Sequence, residues 1–519
     1  MRRILAIILL TICFEAVAQD FPDTLREFRG VWVATSKRID FPTVATTDSK
    51  VLKQNYLDLI TALHNAGYNA VVFQVRPAAD AFFASEYEPW SEWLTGKQGR
   101  APEPYFDPLT FMVKETHAIG MEYHAWFNPF RAVATIQYAD VCKEHISNTK
   151  PEWFFTYGAN KYFDPGIPEV RNYLVRLIVD VVKRYDIDGV HFDDYFYPYP
   201  ITGDNKKIVA LPDQATYKKY GKGFDNIADW RRNNINEFIK ECYIAIKNEK
   251  PWVKFGVGPA GVWRNKREDP AEGSPTNSLS GYDYLYADAL AWLKNGWIDY
   301  CAPQIYWNIG HVYNDFETVV KWWNDHAYGR NIYIGIGAYN QENPSGGWAD
   351  PQEIPNQIKI TRKYPNVQGV IVYRSTTVTK NPLNMVSSVR QSCFNKNVMM
   401  PQMPWLSVFP ESPKVSMVKM RNQYHVYWQK DNGKTLPPAD TAIFYSVYRV
   451  KGNSPNFVPS KSNFLKYISQ NDLSLFKNSK FSFKKKVYTY KITAFNRYHV
   501  ESAPSNAIII KYGKKDRVE

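Results

Sequence analysis

The sequence predicts an α/β protein: a (β/α)₈ TIM barrel followed by a small all-β sandwich. Three observations predict it. Apolar strand candidates alternate eight times with amphipathic helical stretches between residues 28 and 375, the pattern of a parallel sheet with helical crossovers. Connections that enter the strands are tight, as in Asn65-Ala66-Gly67, whereas several that leave them are long. After residue 395 the helical period disappears and short alternating strands take over.

The strands are expected at 28–35, 69–76, 121–128, 189–195, 253–259, 298–307, 331–339 and 368–375. Eight is the number that closes a barrel. Helices are expected at 49–66, 108–119, 169–185, 226–248, 284–295 and 351–364. Long inserts at 77–107, 197–225 and 260–283 follow the second, fourth and fifth strands, so extra mass gathers at the strand C-termini, where barrels build active sites. The expected divisions are a signal peptide at 1–18, a barrel at 26–395, a proline-marked linker at 396–413, a β module at 414–512 and a basic tail at 513–519.

Met1-Arg2-Arg3, the apolar run that follows and Ala16-Val17-Ala18 read as a secretory signal, too short to span a bilayer. Ile12 is bulky where a lipoprotein signal carries a small residue before its cysteine. The expected product is therefore exported and soluble, periplasmic or extracellular, with no transmembrane segment. Cys142, Cys242, Cys301 and Cys393 are far apart, which indicates neither a zinc site nor a dense disulfide framework.

The formal charge is +13, and it is unevenly placed. From Lys414 onward there are 20 Lys or Arg against 6 Asp or Glu, which leaves residues 19–413 near neutrality. The excess belongs to the C-terminal module and suits attachment to an anionic surface or cell wall. No nucleic-acid motif appears. The chain is aromatic, with 16 Trp, 36 Tyr and 29 Phe, and flat rings stack on sugars as readily as they fill barrel cores.

The chemistry concentrates at Asp188-Gly189-Val190-His191-Phe192-Asp193-Asp194-Tyr195. By strand alternation His191, Asp193 and Tyr195 share one face. Glycosidic cleavage needs an acid for the leaving oxygen and a second carboxylate; Asp193 and Asp194 are candidates, and adjacent carboxylates also suit substrate-assisted cleavage of 2-acetamido sugars. Glu88, before Pro89-Trp90, is a further candidate for the second carboxylate. Gln74 and Arg76 end the second strand, and the loop after it carries Asp80 and Trp90. Other candidates for sugar contact are His124, Trp126 and Asn128, then Gln304, Tyr306 and Trp307, Tyr339, and Tyr373 or Arg374. Clustered metal-ligating histidines are lacking, so neither a metal nor a cofactor is expected.

Arg26-Glu27-Phe28-Arg29-Gly30-Val31-Trp32, Gln74-Val75-Arg76-Pro77, Glu88-Pro89-Trp90-Ser91, Trp126-Phe127-Asn128-Pro129, the Asp193-Asp194 segment and Ala302-Pro303-Gln304-Ile305-Tyr306-Trp307 resemble the bacterial glycosyl-hydrolase-like family 10. The resemblance covers about 26–390. It implies an exported barrel glycosidase with its catalytic centre at Asp193 and Asp194; one member of that family, a division-site enzyme, cleaves peptidoglycan strands stripped of their peptides. Where barrel glycosidases with a nucleophile on the fourth strand carry a carboxylate at the end of the fifth, this chain has Gly258-Pro259-Ala260. Tyr488 to Asn496 and Glu501-Ser502-Ala503-Pro504-Ser505 resemble a fibronectin type III module, with Trp428 as its buried tryptophan and His499 where such modules often have glycine. The expected function is glycoside hydrolysis of an amino-sugar glycan. Alternatives are an inactive carbohydrate-binding barrel and a glycosidase for plant or host polysaccharide.

Overall fold

A computed structural model describes residues 26–136, 141–204, 206–406, 410–420, 423–428, 434–436, 439–460, 462–469, 486–512 and 517–518. The expected signal segment lies outside the described residues, as do 513–516 and 519 of the expected tail. Eight parallel strands close a barrel: β1 (Phe28–Val33), β2 (Ala70–Arg76), β3 (Glu122–Phe127), β4 (Gly189–Phe192), β5 (Lys254–Val257), β6 (Tyr300–Cys301 and Gln304–Ile305), β7 (Asn331–Ile336) and β8 (Val367–Val372). Closure is made by β8 on β1, with Phe28 opposite Gly369 and Val31 opposite Val372. The sixth strand differs from the single run expected at 298–307. Pro303 has no N–H to give the ladder, and the strand breaks around it.

The helices shield the outer faces of the strands. α1 (Ser49–Asn65) is capped by Asp48, whose side chain accepts from Lys50 and Val51 N–H, and α2 (Pro108–Ala118) and α3 (Pro168–Arg184) each begin with proline. The turn from α1 into β2 is tight because Gly67 adopts a φ of 94°. α3 packs against α4 (Ile227–Glu249). The helix expected at 284–295 is two short pieces, Gly281–Tyr284 and Ala289–Lys294. An element the sequence pattern does not announce follows β3: a three-stranded antiparallel sheet of Arg131–Val133, Phe154–Tyr157 and Asn160–Phe163. It hangs over the C-terminal mouth of the barrel and brings Arg131 to the site.

Inside the barrel the lumen is filled by side chains from alternate positions, as the period of two requires. Phe28 stacks on Tyr333 with ring centroids 4.3 Å apart. All four described cysteines are free thiols, and Cys242, Cys301 and Cys393 are buried.

The C-terminal region is all-β. A hairpin of β9 (Val415–Met420) and β10 (Gln423–Trp428) accompanies an antiparallel sheet of β11 (Phe444–Lys451), β12 (Phe464–Ser469), β13 (Lys486–Phe495), β14 (Ile508–Tyr512) and β15 (Arg517–Val518). Arg517–Val518, expected as part of a basic tail, pairs with β14 as the edge strand of that sheet. The region does not hang free. Met399, Met400 and Met403 are buried in the segment that leads to it, Arg26 bridges to the buried Glu501 at 3.1 Å, and His499 bonds Glu122 at the start of β3. These contacts fasten the region to the N-terminal floor of the barrel, opposite the strand C-termini.

Candidate active site

Asp193 and Asp194 follow β4 directly, at the C-terminal mouth. They are 6% and 3% exposed, so neither carboxylate is an ordinary solvated surface group. Both line a cavity of about 200 Å³ with Trp32, Trp126, Tyr195 and Tyr199 on one side. Gln304, Tyr306, Tyr339 and Tyr373 complete its wall. The Tyr306 and Tyr373 rings are stacked 5.8 Å apart, and Tyr339 stands edge-on to both. A slot of aromatic faces around two carboxylates is suited to a pyranose ring: apolar faces cover its C–H groups while the carboxylates meet its polar edge.

Asp193 is held by neighbouring strands. Its Oδ2 accepts from the Trp126 indole at 3.3 Å and from the Asn128 side-chain amide, and its Oδ1 accepts from the Tyr195 N–H at 3.2 Å. Asn128 is itself oriented, since its carbonyl oxygen accepts from Gln74 at 2.5 Å and Gln74 accepts from the Thr35 and Ser36 N–H groups, each at 2.8 Å. Asp194 accepts from the Tyr199 hydroxyl and from Gln304. Burial, with the Asp194 charge beside it, pushes the Asp193 carboxyl up to about 7; Arg131 and the hydrogen bonds pull the other way and are outweighed. Burial likewise raises Asp194 above the usual carboxylate range. With both carboxyls shifted upward, the pair favours keeping a proton, the condition for one member to act as an acid.

The structure brings Asp193, Asp194, Trp126, Tyr195, Gln304, Tyr306 and Tyr339 together at the cavity. It chooses Tyr373 over Arg374, whose guanidinium turns to Glu342 at 3.4 Å. Glu88 is not brought to the cavity. Its carboxylate is paired with Arg76 through two bonds of 2.6 and 2.7 Å, with both side chains 1% exposed, and Arg76 donates from Nη1 to the Asn128 and Pro129 backbone carbonyls. Arg76 and Glu88 therefore clamp the backbone that presents Asn128. Gln74 and Asn128 stand behind Asp193 as supports. Asp80 is buried against Gln98, where burial pushes its carboxyl up to about 7. Trp90 packs edge-on to Tyr105 and Trp307 against the core. His124 and His191 lie deeper, on the barrel axis and away from solvent.

Three contributors escape the sequence reading. Trp32 comes from β1 and Tyr199 from the β4 loop, both in the cavity wall. Arg131, from the small sheet, lies 4.3 Å over the Tyr195 ring, and its charge acts on both carboxylates. For Trp32 the available signal is the alternation Phe28, Gly30, Trp32 along β1, which points it inward.

A family model described as glycosyl hydrolase-like 10 matches residues 27–352. The chain belongs to the glycosyl hydrolase-like 10 family. As a member it is a glycoside hydrolase, with a carbohydrate as substrate. Glycosyl hydrolase YngK of Bacillus subtilis (strain 168) is 39% identical over 510 residues, 97% of this chain and 96% of that protein. Glycosyl hydrolase DigH of Escherichia coli (strain K12) is 37% identical over 393 residues, 70% of this chain and 86% of that one. Thus the similarity to YngK takes in the C-terminal region of this glycosyl hydrolase-like 10 protein as well as its barrel. Among solved structures, the PgaB (BpsB) glycoside hydrolase domain from Bordetella bronchiseptica aligns at 15% identity and a TM-score of 0.47, covering 72% of this chain and 100% of that one; so distant a likeness carries no residue roles.

Proposed function

We propose that the protein is exported and hydrolyses O-glycosidic bonds in an amino-sugar glycan, peptide-free peptidoglycan strands above all, with Asp193 and Asp194 as its catalytic pair. The observation that carries this reading is the pair itself: two adjacent buried carboxylates in an aromatic slot, with burial and its neighbour pushing Asp193 up. Protonated Asp193 donates to the leaving glycosidic oxygen as the bond to the anomeric carbon breaks. Asp194, fixed by Tyr199 and Gln304, accepts the N–H of the substrate's acetamido group, so that the acetamido carbonyl oxygen attacks the anomeric carbon from the opposite side. Ionised Asp193 then takes a proton from the incoming water, which opens the cyclic intermediate and restores the acid. The chemistry needs no cofactor.

What supports peptidoglycan among acetamido glycans is the signal-like first 18 residues and the basic charge of the C-terminal sequence, which suits an anionic wall. The test is release of reducing ends across denuded peptidoglycan, chitin oligomers, poly-N-acetylglucosamine and plant glycans. Cleavage of the acetamido glycans, lost in Asp193→Asn, is the expected result. Activity only on plant glycans would remove the amino-sugar assignment, and binding without cleavage of any glycan would remove the enzyme.

A further inference from the structure

One hydrogen-bonded chain runs along the barrel axis from the C-terminal region to the floor of the cavity. It joins His499, Glu122, His124, Tyr300, His191 and Trp32, none more than 3% exposed. His499 Nε2 lies 2.5 Å from Glu122 Oε1, and His124 Nε2 lies 2.9 Å from Glu122 Oε2. The Tyr300 hydroxyl lies 2.9 Å from His124 Nδ1 and 3.1 Å from His191 Nδ1. The Trp32 indole closes the series, 3.1 Å from His191 Nε2.

Chemistry fixes the direction of every proton in it. An indole nitrogen can only donate, so His191 Nε2 is an acceptor and the neutral ring carries its proton on Nδ1. His191 therefore donates to the Tyr300 oxygen. Tyr300 donates onward to His124 Nδ1, and His124 donates from Nε2 to Glu122. At the far end His499 donates from Nε2, while its Nδ1 accepts from the Tyr467 hydroxyl at 3.0 Å. Burial opposes charge on Glu122, but Lys254, 2.5 Å away, and then His499 outweigh it and hold the carboxyl well below its usual range. The series thus ends on a fixed anion.

The surrounding backbone is shaped for these rings. A Cβ on Gly189 would lie 2.5 Å from His124 Nδ1, and one on Gly256 would lie 2.0 Å from the Tyr300 ring. His499 holds a left-handed φ of 56°, at the position where the type III pattern often has glycine. Histidine is among the side chains that tolerate that conformation, and here its ring is committed at both nitrogens, to Glu122 and to Tyr467. Arg26 pins the same turn, donating to the His499 carbonyl at 3.0 Å.

We propose that His499, Glu122 and Tyr300 are positioning residues for the active site: the C-terminal region completes the barrel, and the series it anchors sets the tautomers of His124 and His191 and so the seat of Trp32 on the cavity floor. The functional side of this inference rests on reading that cavity as the active site; the tautomers do not. The experiment uses the full-length chain with ¹⁵N-labelled histidine and tryptophan, in the wild type and in Tyr300→Phe, His499→Leu and His499→Gln. In the wild type His191 should carry its proton on Nδ1 and His124 on Nε2. Tyr300→Phe, which deletes one oxygen and keeps the ring, should move the His191 and Trp32 indole signals. His499→Leu should move the His124 and Trp32 signals and lower kcat about tenfold or more at unchanged KM on the glycan the wild type cleaves; His499→Gln, which restores an N–H donor, should recover both. A wild-type His191 protonated on Nε2, or a Trp32 signal indifferent to His499→Leu, would overturn the proposal even if no glycan were cleaved. Loss of kcat that Gln does not rescue would overturn its functional half. If Tyr300→Phe fails to fold, the wild-type tautomers and the His499 pair still decide.

Discussion

Asn128 donates its side-chain amide to Oδ2 of Asp193, so the carboxyl proposed as the acid is held from β3 and not only from its own strand. That bond favours the ionised form of Asp193, as does Arg131, whereas burial and Asp194 favour the protonated form. The balance can be shifted in either direction by substitution.

An acid must be protonated to work, so activity falls as pH rises through the Asp193 pKa. Replacing Asn128 with Leu, or Arg131 with Gln, removes an influence that lowers that pKa; the alkaline limb of the pH–rate profile should move to higher pH. In Asp194→Asn a neighbouring charge disappears, and whatever activity survives should have its limb at lower pH. Profiles of kcat/KM for the three variants check the signs. Identical limbs in all three would show that Asp193 is not the titrating group.

Asp193→Asn should reduce kcat by two to four orders of magnitude, since a group of this kind contributes about 3 kcal/mol or more to the transition state. Its stability should change in the opposite sense. The folded-state pKa of Asp193 is raised above its unfolded value, so protonation supports the fold fully below pH 4 and that support is lost as pH rises through about 7. Asn carries no charge at any pH. The variant's Tm should therefore exceed the wild type's by more at pH 8 than at pH 5, as calorimetry at the two pH values would show.

Glu88→Ala should act on the fold. It strands the buried Arg76 charge, at a cost of about 3–5 kcal/mol, and loosens the clamp on Asn128. Chemical denaturation should show the loss, while the protein that stays folded keeps an alkaline limb, moved if at all to higher pH as Asn128 loosens. Disappearance of that limb would make Glu88 the acid after all.

The basic C-terminal module should bind insoluble anionic wall material through long-range charge, so binding of the full-length protein should weaken steeply between low salt and about 0.5 M, where screening is short. Co-sedimentation at graded salt measures it. Binding that ignores salt would assign wall contact to the sugar slot alone.

The eight strands are legible in sequence because each is a short apolar run bounded by turn residues, and the Asp193-Asp194 pair because charge at the end of such a run is costly without a use. Glu88 is not legible. A loop glutamate looks the same whether it faces solvent or, as here, is buried against Arg76. The small sheet after β3 is missed because its strands are only three or four residues long, and Arg131 is missed with it. His124 and His191 are expected as candidates for sugar contact, yet alternation gives a direction and no depth: both are fully buried, beneath the cavity. His499 is visible only as a departure from the glycine of the type III pattern, and its partner Glu122 is 377 residues away, a separation that no local pattern spans.

Product analysis by mass spectrometry on matched peptidoglycan, with and without prior amidase treatment, tests the proposed activity most directly. We propose that the long connections leaving β2, β4 and β5 at the barrel mouth confine an extended chain beside the slot, so that stem peptides would collide with them. The expected result is internal cleavage of the amidase-treated strands by the wild type, little on the peptide-bearing form, and none by Asp193→Asn. Equal rates on both forms would contradict the steric argument, and cleavage by Asp193→Asn at the wild-type rate would contradict the catalytic centre itself.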